Sequence, residues 1–203
     1  MVIAPLVAIG IGLTTYEVAI QLKEHSERRK YWDIARAHCD QSGKKLLRIG
    51  IRRGIFEPPN GDVTLDLDPV VLNIPGGTCG DERDMPFADK EFGVCFNEHT
   101  LEHLHSREDV ELAVNECVRV ADKAILLCPS PYSIISNLFC HTHYLRIWFD
   151  KDKIRVTNND YRVLPDTLPL PSAIGQALVL KDKAPVVISQ RGFLISSYEI
   201  KSI

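Results

Sequence analysis

Most of the short signatures that announce a reaction are missing from this chain of 203 residues. No Gly-x-Ser-x-Gly occurs, which argues against the exposed nucleophile of an α/β-hydrolase. No Gly-x-x-x-x-Gly-Lys-Ser/Thr occurs either, so there is no phosphate-cradling P-loop. Cys-x-x-Cys is absent, and the six cysteines (39, 79, 95, 117, 128 and 140) are scattered. Cys95, Cys117 and Cys128 fall in apolar patterns, where a thiol behaves as a small hydrophobe. Reduced cysteines in an intracellular compartment are expected, rather than a disulfide scaffold. An excess of positive charge is also missing: 24 Lys and Arg face 27 Asp and Glu, a net charge of −3. That balance gives no electrostatic reason to expect nucleic acid as a partner. No internal repeat and no low-complexity segment occurs. The length fits one domain, able to bury most of its apolar surface.

What is present begins with an uncharged run over residues 2–16, interrupted by Glu17 and resumed by Val18-Ala19-Ile20. As a helix the uncharged part covers about 22 Å, and extension to Leu22 gives about 33 Å against a ~30 Å hydrocarbon core. Lys23, Arg28, Arg29 and Lys30 follow, the flank expected on the cytoplasmic side of an anchor. Residues 1–22 are therefore read as a hydrophobic N-terminal segment and membrane anchor. The alternatives are a buried or interfacial helix and, since no small-x-small site precedes a mature-looking start, least of all a cleaved signal. The expected location is membrane-associated with the globular part in the cytoplasm, or else cytoplasmic.

Tyr31, Ile34, Ala35 and His38 recur at helical spacing, predicting a linking helix over residues 23–43 that stops at Gly43. Residues 44–203 then form the main domain. Leu46 to Ile51 reads as a first buried strand leading into Arg52-Arg53-Gly54. Glu57-Pro58-Pro59-Asn60-Gly61 is a strong loop signal. A second strand ends at Asp66-Leu67-Asp68-Pro69, and Val70 to Thr78 is a short glycine-bearing link. Cys79 to Leu104 carries the most specific wording: a polar turn, Met85-Pro86-Phe87, an apolar strand from Phe92 to Phe96, then Asn97-Glu98-His99 and Leu101-Glu102-His103. Ser106 opens a helix with Asp109 three residues on, a capping-box variant. Ala124 to Pro129 is a strand buried on both faces. Ile134 to Phe149 is predicted as a helix, and the remainder as short strands, with a loop over 164–171 and a last strand over 193–200.

The segment 81–104, with Asp62 to Pro69 and Glu116 to Pro129, resembles class I S-adenosylmethionine-dependent methyltransferases of the type 11 kind. The resemblance implies an α/β fold: a doubly wound, mostly parallel, Rossmann-like sheet, here preceded by a hydrophobic helix. It implies S-adenosylmethionine as cofactor, bound at the carboxyl ends of the first strands. Gly50, Ile51 and Gly54 then belong to the first loop, and Asp66 and Leu67 to the ribose site. Asp81 meets the adenine amino group, Met85 packs on the adenine ring, and Asn97, Glu98 and His99 face the methyl end. On their own residues, Asp66 also reads as a turn cap, Asp81 as a surface acid and Met85 as core. Several positions depart from the family wording: Arg48 stands where an acid precedes the glycine loop, Arg52 and Arg53 stand where small residues are expected, Gly93 replaces an aspartate, and Asp122-Lys123 takes the place of a Pro-Gly turn.

His99, Glu102, His103, His105, His141 and His143 form the densest metal-like grouping. It lacks the His-Glu-x-x-His order of a zinc helix, and Glu102-His103 is already part of the resemblance, so no metal is expected. Methyl transfer implies an in-line displacement that positioning can largely supply, and no catalytic base is named. The acceptor, a small molecule or a lipid, is left open, as is the oligomeric state. The competing reading is a methyltransferase-like fold without activity, serving as a membrane-tethered binding or scaffold module.

Overall fold

The computed structural model describes residues 3–55, 57–150, 153–159, 163–164, 177–181, 186–188 and 192–193. Its first element is one unbroken helix, α1 (Ile3–Ser42), where the sequence suggested an anchor followed by a separate linking helix. Gly43 ends it at φ +70°, a conformation that costs glycine no Cβ clash.

Strands β1 (Leu46–Ile49), β2 (Val63–Asp66), β3 (Gly77–Cys79), β4 (Phe92–Glu98) and β5 (Ala121–Leu127) follow. Helix α2 (Arg107–Val120) lies between β4 and β5. Beyond them come β6 (Leu145–Asp150), β7 (Lys153–Asn158), β8 (Val163–Leu164), β9 (Ala177–Leu180), β10 (Val186–Ile188) and β11 (Gly192–Phe193). The main sheet runs β3-β2-β1-β4-β5-β9. Its pairs are parallel until β9 closes the edge antiparallel to β5. Strands β10, β7 and β6 make a second sheet. This is the mixed, mostly parallel sheet with flanking helices that the sequence predicted.

A parallel sheet must be covered on both faces. Leu46, Val94, Phe96, Ile125 and Leu127 turn toward Trp32, Ala35 and Cys39 of α1. Leu47, Ile49, Cys95, Ala124 and Leu126 pack with Val110, Ala113, Val114 and Cys117 of α2. Ser106 caps α2 as its spacing predicted, accepting from the Asp109 amide at 3.0 Å. Between β2 and β3 a 3-10 turn over Pro69–Asn73 stands in for a crossover helix.

Two expectations are corrected. The membrane span expected over residues 1–22 is not supported: among the described residues no helix is long and apolar enough to cross a membrane. The carboxylate of Glu17 instead accepts from Ser133 Oγ at 2.6 Å and from the Ile134 amide at 2.8 Å, and Ile20 is buried. Docking on the domain thus claims the end of the segment that a span would need. Val7, Ile9, Ile11 and Leu13, nearer the N-terminus, remain exposed. The helix expected over 134–149 is only a π turn over Ile135–Phe139, followed by β6. Pairing with β7 claims Leu145–Asp150, where β-branched and aromatic residues suit a strand. The loop expected over 164–171 and the strand over 193–200 fall almost wholly outside the described residues.

Candidate functional site

Sheet order reverses between β1 and β4, since the strands following β1 run to one side and β4 and β5 to the other. Ligands in open α/β sheets bind at such a point, beyond the carboxyl ends of the strands. A cavity of about 620 Å³ opens there, floored by Gly50 and Ile51 after β1, Asp66 and Leu67 at the end of β2, and Glu98 to Thr100 at the end of β4. Arg28 of α1 closes one side, and Cys140, Thr142 and His143 another.

The first loop is built around a positive φ. Gly50 sits at +83° and donates its amide to the Leu65 carbonyl at 2.8 Å. The next amide, of Ile51, donates to Asp66 Oδ2 at 2.8 Å, while Oδ1 accepts from the Asp68 amide at 2.8 Å. Each carboxylate oxygen has two acceptor sites, so Asp66 both fixes the loop and keeps lone pairs for a vicinal diol. The two arginines of the loop differ in use. Arg52 turns back on the carbonyls of Gly54 and Ile55, whereas Arg53 lines the cavity and reaches Asp68 Oδ2 at 3.3 Å.

Arg48 explains the missing acid. Its buried guanidinium donates to the carbonyls of Pro58 and Pro59 and to Glu57 Oε2 at 3.1 Å. It also lies 3.4 Å from Glu98 Oε2. Arg28 meets the other oxygen of Glu98 at 3.3 Å and places an amino group 3.0 Å from the ring nitrogens of His99. Glu98 is thus held between two guanidinium groups. Burial raises its carboxyl pKa, against the lowering pull of Arg48 and Arg28. Burial, reinforced by Arg28, keeps the His99 imidazole neutral by lowering its pKa well below the usual value.

Of the sequence-predicted residues, Gly50, Ile51, Asp66, Leu67, Glu98 and His99 line this cavity; Gly54, Asp81, Met85 and Asn97 do not. Asp81 is turned away by a two-pronged pairing with Arg83, which also grips Asp109 of α2 at 2.7 Å. Met85 is core, buried among the α2-facing side chains. Asn97 points to the α2 face and donates to Glu82 at 2.7 Å. Gly54 closes a turn against Glu57. The acid of that region that does line the cavity is Glu82, one residue on from Asp81.

Glu82 also accepts from Thr100 at 2.8 Å. Burial pushes its carboxyl up to about 7. An acid whose folded pKa lies above its unfolded value of 4.5 adds stability that is complete below pH 4.5. That contribution falls as pH rises and is gone above about pH 7. Glu82→Gln keeps the acceptor and removes the titration. It is expected to be more stable than the parent at pH 8, by up to about 3 kcal/mol, and less pH-dependent between 4.5 and 7. Urea unfolding across that range checks this; parallel curves for the two proteins would dismiss it.

Sequence reasoning missed Arg28, Arg48, Glu82, Glu102, His103 and His143 as cavity residues. Glu102, His103 and His143 carried a signal as part of the metal-like grouping, and Arg48 as a departure from the family wording; Arg28 and Glu82 carried none.

Residues 63–127, which run from β2 through β5, match the family model of the methyltransferase domain. This stretch, about a third of the chain, is similar to the methyltransferase domain family. Solved methyltransferases show partial likeness to the chain. One is an S-adenosylmethionine-dependent methyltransferase from Clostridium acetobutylicum (TM-score 0.41, 13% identity, 62% of this chain and 58% of the other). Another is geranyl diphosphate C-methyltransferase from Streptomyces coelicolor, solved with S-adenosyl-L-homocysteine (TM-score 0.35, 13% identity, 59% of this chain and 63% of the other). The chain therefore spans less than two thirds of either relative's length. At these scores neither bears on substrate or mechanism. No curated protein matches the sequence.

Proposed function

We propose that this domain binds S-adenosylmethionine in the cavity at the β1–β4 reversal and transfers its methyl group to an acceptor entering beside Cys140 to His143. The observation that carries the proposal is Asp66: a cavity-lining carboxylate at the carboxyl end of β2 whose oxygens already organise the first loop. When bound, the cofactor supplies an electrophilic methyl group on a sulfonium. Asp66 would accept from the ribose hydroxyls, with Gly50 and Leu67 flanking the sugar and Gly50 permitting close backbone approach. Arg53, more than half exposed at the cavity rim, is placed to meet the cofactor's carboxylate. Glu98, a cavity acid 3.4 Å from the Arg48 guanidinium that stands in the place of the family's own acid, would orient the amino group. Neutral His99 adds no positive charge near a sulfonium.

Calorimetric titration of S-adenosylmethionine and S-adenosylhomocysteine tests this. The full chain is needed, because α1 contributes Arg28 to the cavity wall. Saturable micromolar binding with one site is expected. The second reading is an inactive binding module, and the engagement of Glu98 by both Arg28 and Arg48 favours it. Absence of binding by a folded sample would leave that reading standing and remove the first.

A further inference from the structure

On the acceptor side of the cavity, Glu102, His103 and His143 bring one ligand atom each within 4.8 Å of one another. We infer that these three side chains form a binding site for a divalent transition-metal ion of the zinc class. The three residues come from two segments 40 positions apart, and the fold locks those segments together. The Tyr144 amide donates to the Glu102 carbonyl at 2.9 Å, and Asn159 Nδ2 donates to the His143 carbonyl at 3.1 Å.

Two observations independent of proximity point to a cation. First, Glu102 is 2% exposed, and neither of its carboxylate oxygens receives a hydrogen bond. A buried acid with no hydrogen-bond donor, only His99 Nδ1 and His143 Nε2 at 3.8 Å from its Oε1, is costly, and such groups in proteins are paired or hold metals. Second, both imidazoles are already oriented as ligands. His103 Nδ1 faces the Thr142 carbonyl at 2.8 Å and His143 Nδ1 faces the Ser136 carbonyl at 2.9 Å. A carbonyl only accepts, so each Nδ1 carries the proton and each Nε2 keeps its lone pair. That is the outer-shell arrangement by which proteins fix metal-binding histidines. His143 Nε2 lies 3.8 Å from Glu102 Oε1, and the two imidazole rings meet edge to face at 4.9 Å.

Around a tetrahedral zinc the ligand atoms lie about 3.3 Å apart, so side-chain movements of roughly an ångström complete the set. Two nitrogens and one carboxylate suit zinc and its neighbours better than magnesium or calcium. The fourth position opens onto the cavity, where water or an oxygen of a bound molecule fills it. His99 Nδ1 is also 3.8 Å from Glu102 Oε1, but His99 stays outside the set, because Arg28, 3.0 Å from the ring nitrogens, donates to the one that carries the lone pair. The charge of Arg28 is in turn matched by Glu98.

The site needs no methyl donor, so its test is separate from that of the proposed function. Chelator-stripped full chain is titrated with zinc chloride by calorimetry and with cobalt(II) by absorption, without S-adenosylmethionine. One equivalent of zinc is expected to bind. The cobalt spectrum should be that of a nitrogen and oxygen site, without thiolate charge-transfer bands. His103→Ala, at an exposed position that does not endanger folding, should weaken zinc binding on the order of 100-fold. Glu102→Gln should do the same while keeping the side-chain volume. Thiolate bands would assign the metal to cysteine and overturn the proposal. So would no stoichiometric binding, or unchanged affinity in both variants.

Discussion

Asp66→Ala is expected to weaken S-adenosylhomocysteine binding by about 100-fold, the equivalent of ~2.7 kcal/mol. Two losses combine. The ribose loses its acceptor, and the amides of Ile51 and Asp68 lose the oxygens they donate to at 2.8 Å. Asp66→Asn separates them, since its single oxygen can retain one amide and one hydroxyl bond. It should fall between the parent and the alanine variant. Calorimetry on all three proteins, each checked for folding by circular dichroism, gives the ordering. Equal affinities across the series would remove Asp66 from the cofactor site and return it to the role of a turn cap.

Arg48→Ala is expected to be the most destabilising single change in the domain, by about 3–5 kcal/mol. The guanidinium is 2% exposed and serves the carbonyls of Pro58 and Pro59 together with Glu57 and Glu98. Removing it leaves Glu98 a buried carboxylate with only Arg28 opposite, and leaves the Pro58–Pro59 loop without its tie to β1. Arg48→Met preserves the volume but not the charge. It should recover little, because the penalty lies in the unpaired partners rather than in the lost packing. Urea unfolding of the three proteins measures it. A loss below ~1 kcal/mol in Arg48→Ala would mean that the loop carbonyls find water instead.

The double role of Arg48 bears on the reading of the first loop. In the sequence it stood as a departure from the acid of the family. In the structure it is an inner link of a chain of alternating charge, Glu57–Arg48–Glu98–Arg28. The acid facing the cavity has moved to β4, and the arginine on β1 holds it in place. Which charge a strand position carries is therefore decided with its neighbour across the sheet. Arg48 pairs in register with Phe96, two residues before Glu98.

The sequence alone determined the strands β1, β2, β4 and β5, the capped helix α2 and the stop at Gly43. Each rests on local chemistry: continuous apolar runs, a serine with an acid three residues on, a glycine free to take a positive φ. It also carried a resemblance, through wording concentrated between β2 and β5, in the stretch that the methyltransferase domain family model matches. Tertiary structure decided what lies around the cavity. The apolar start of α1 looked like a membrane span, because hydropathy does not show that Glu17 finds Ser133 and the Ile134 amide 116 and 117 residues away. Asp81, expected to meet adenine, is paired with Arg83, which bridges it to Asp109 of α2. Glu102, His103 and His143 became one cluster only when the segment after the π turn folded back over the end of β4. Partners so far apart in the chain leave no periodicity to read, and only the sheet order and the loops that close over it bring them within reach.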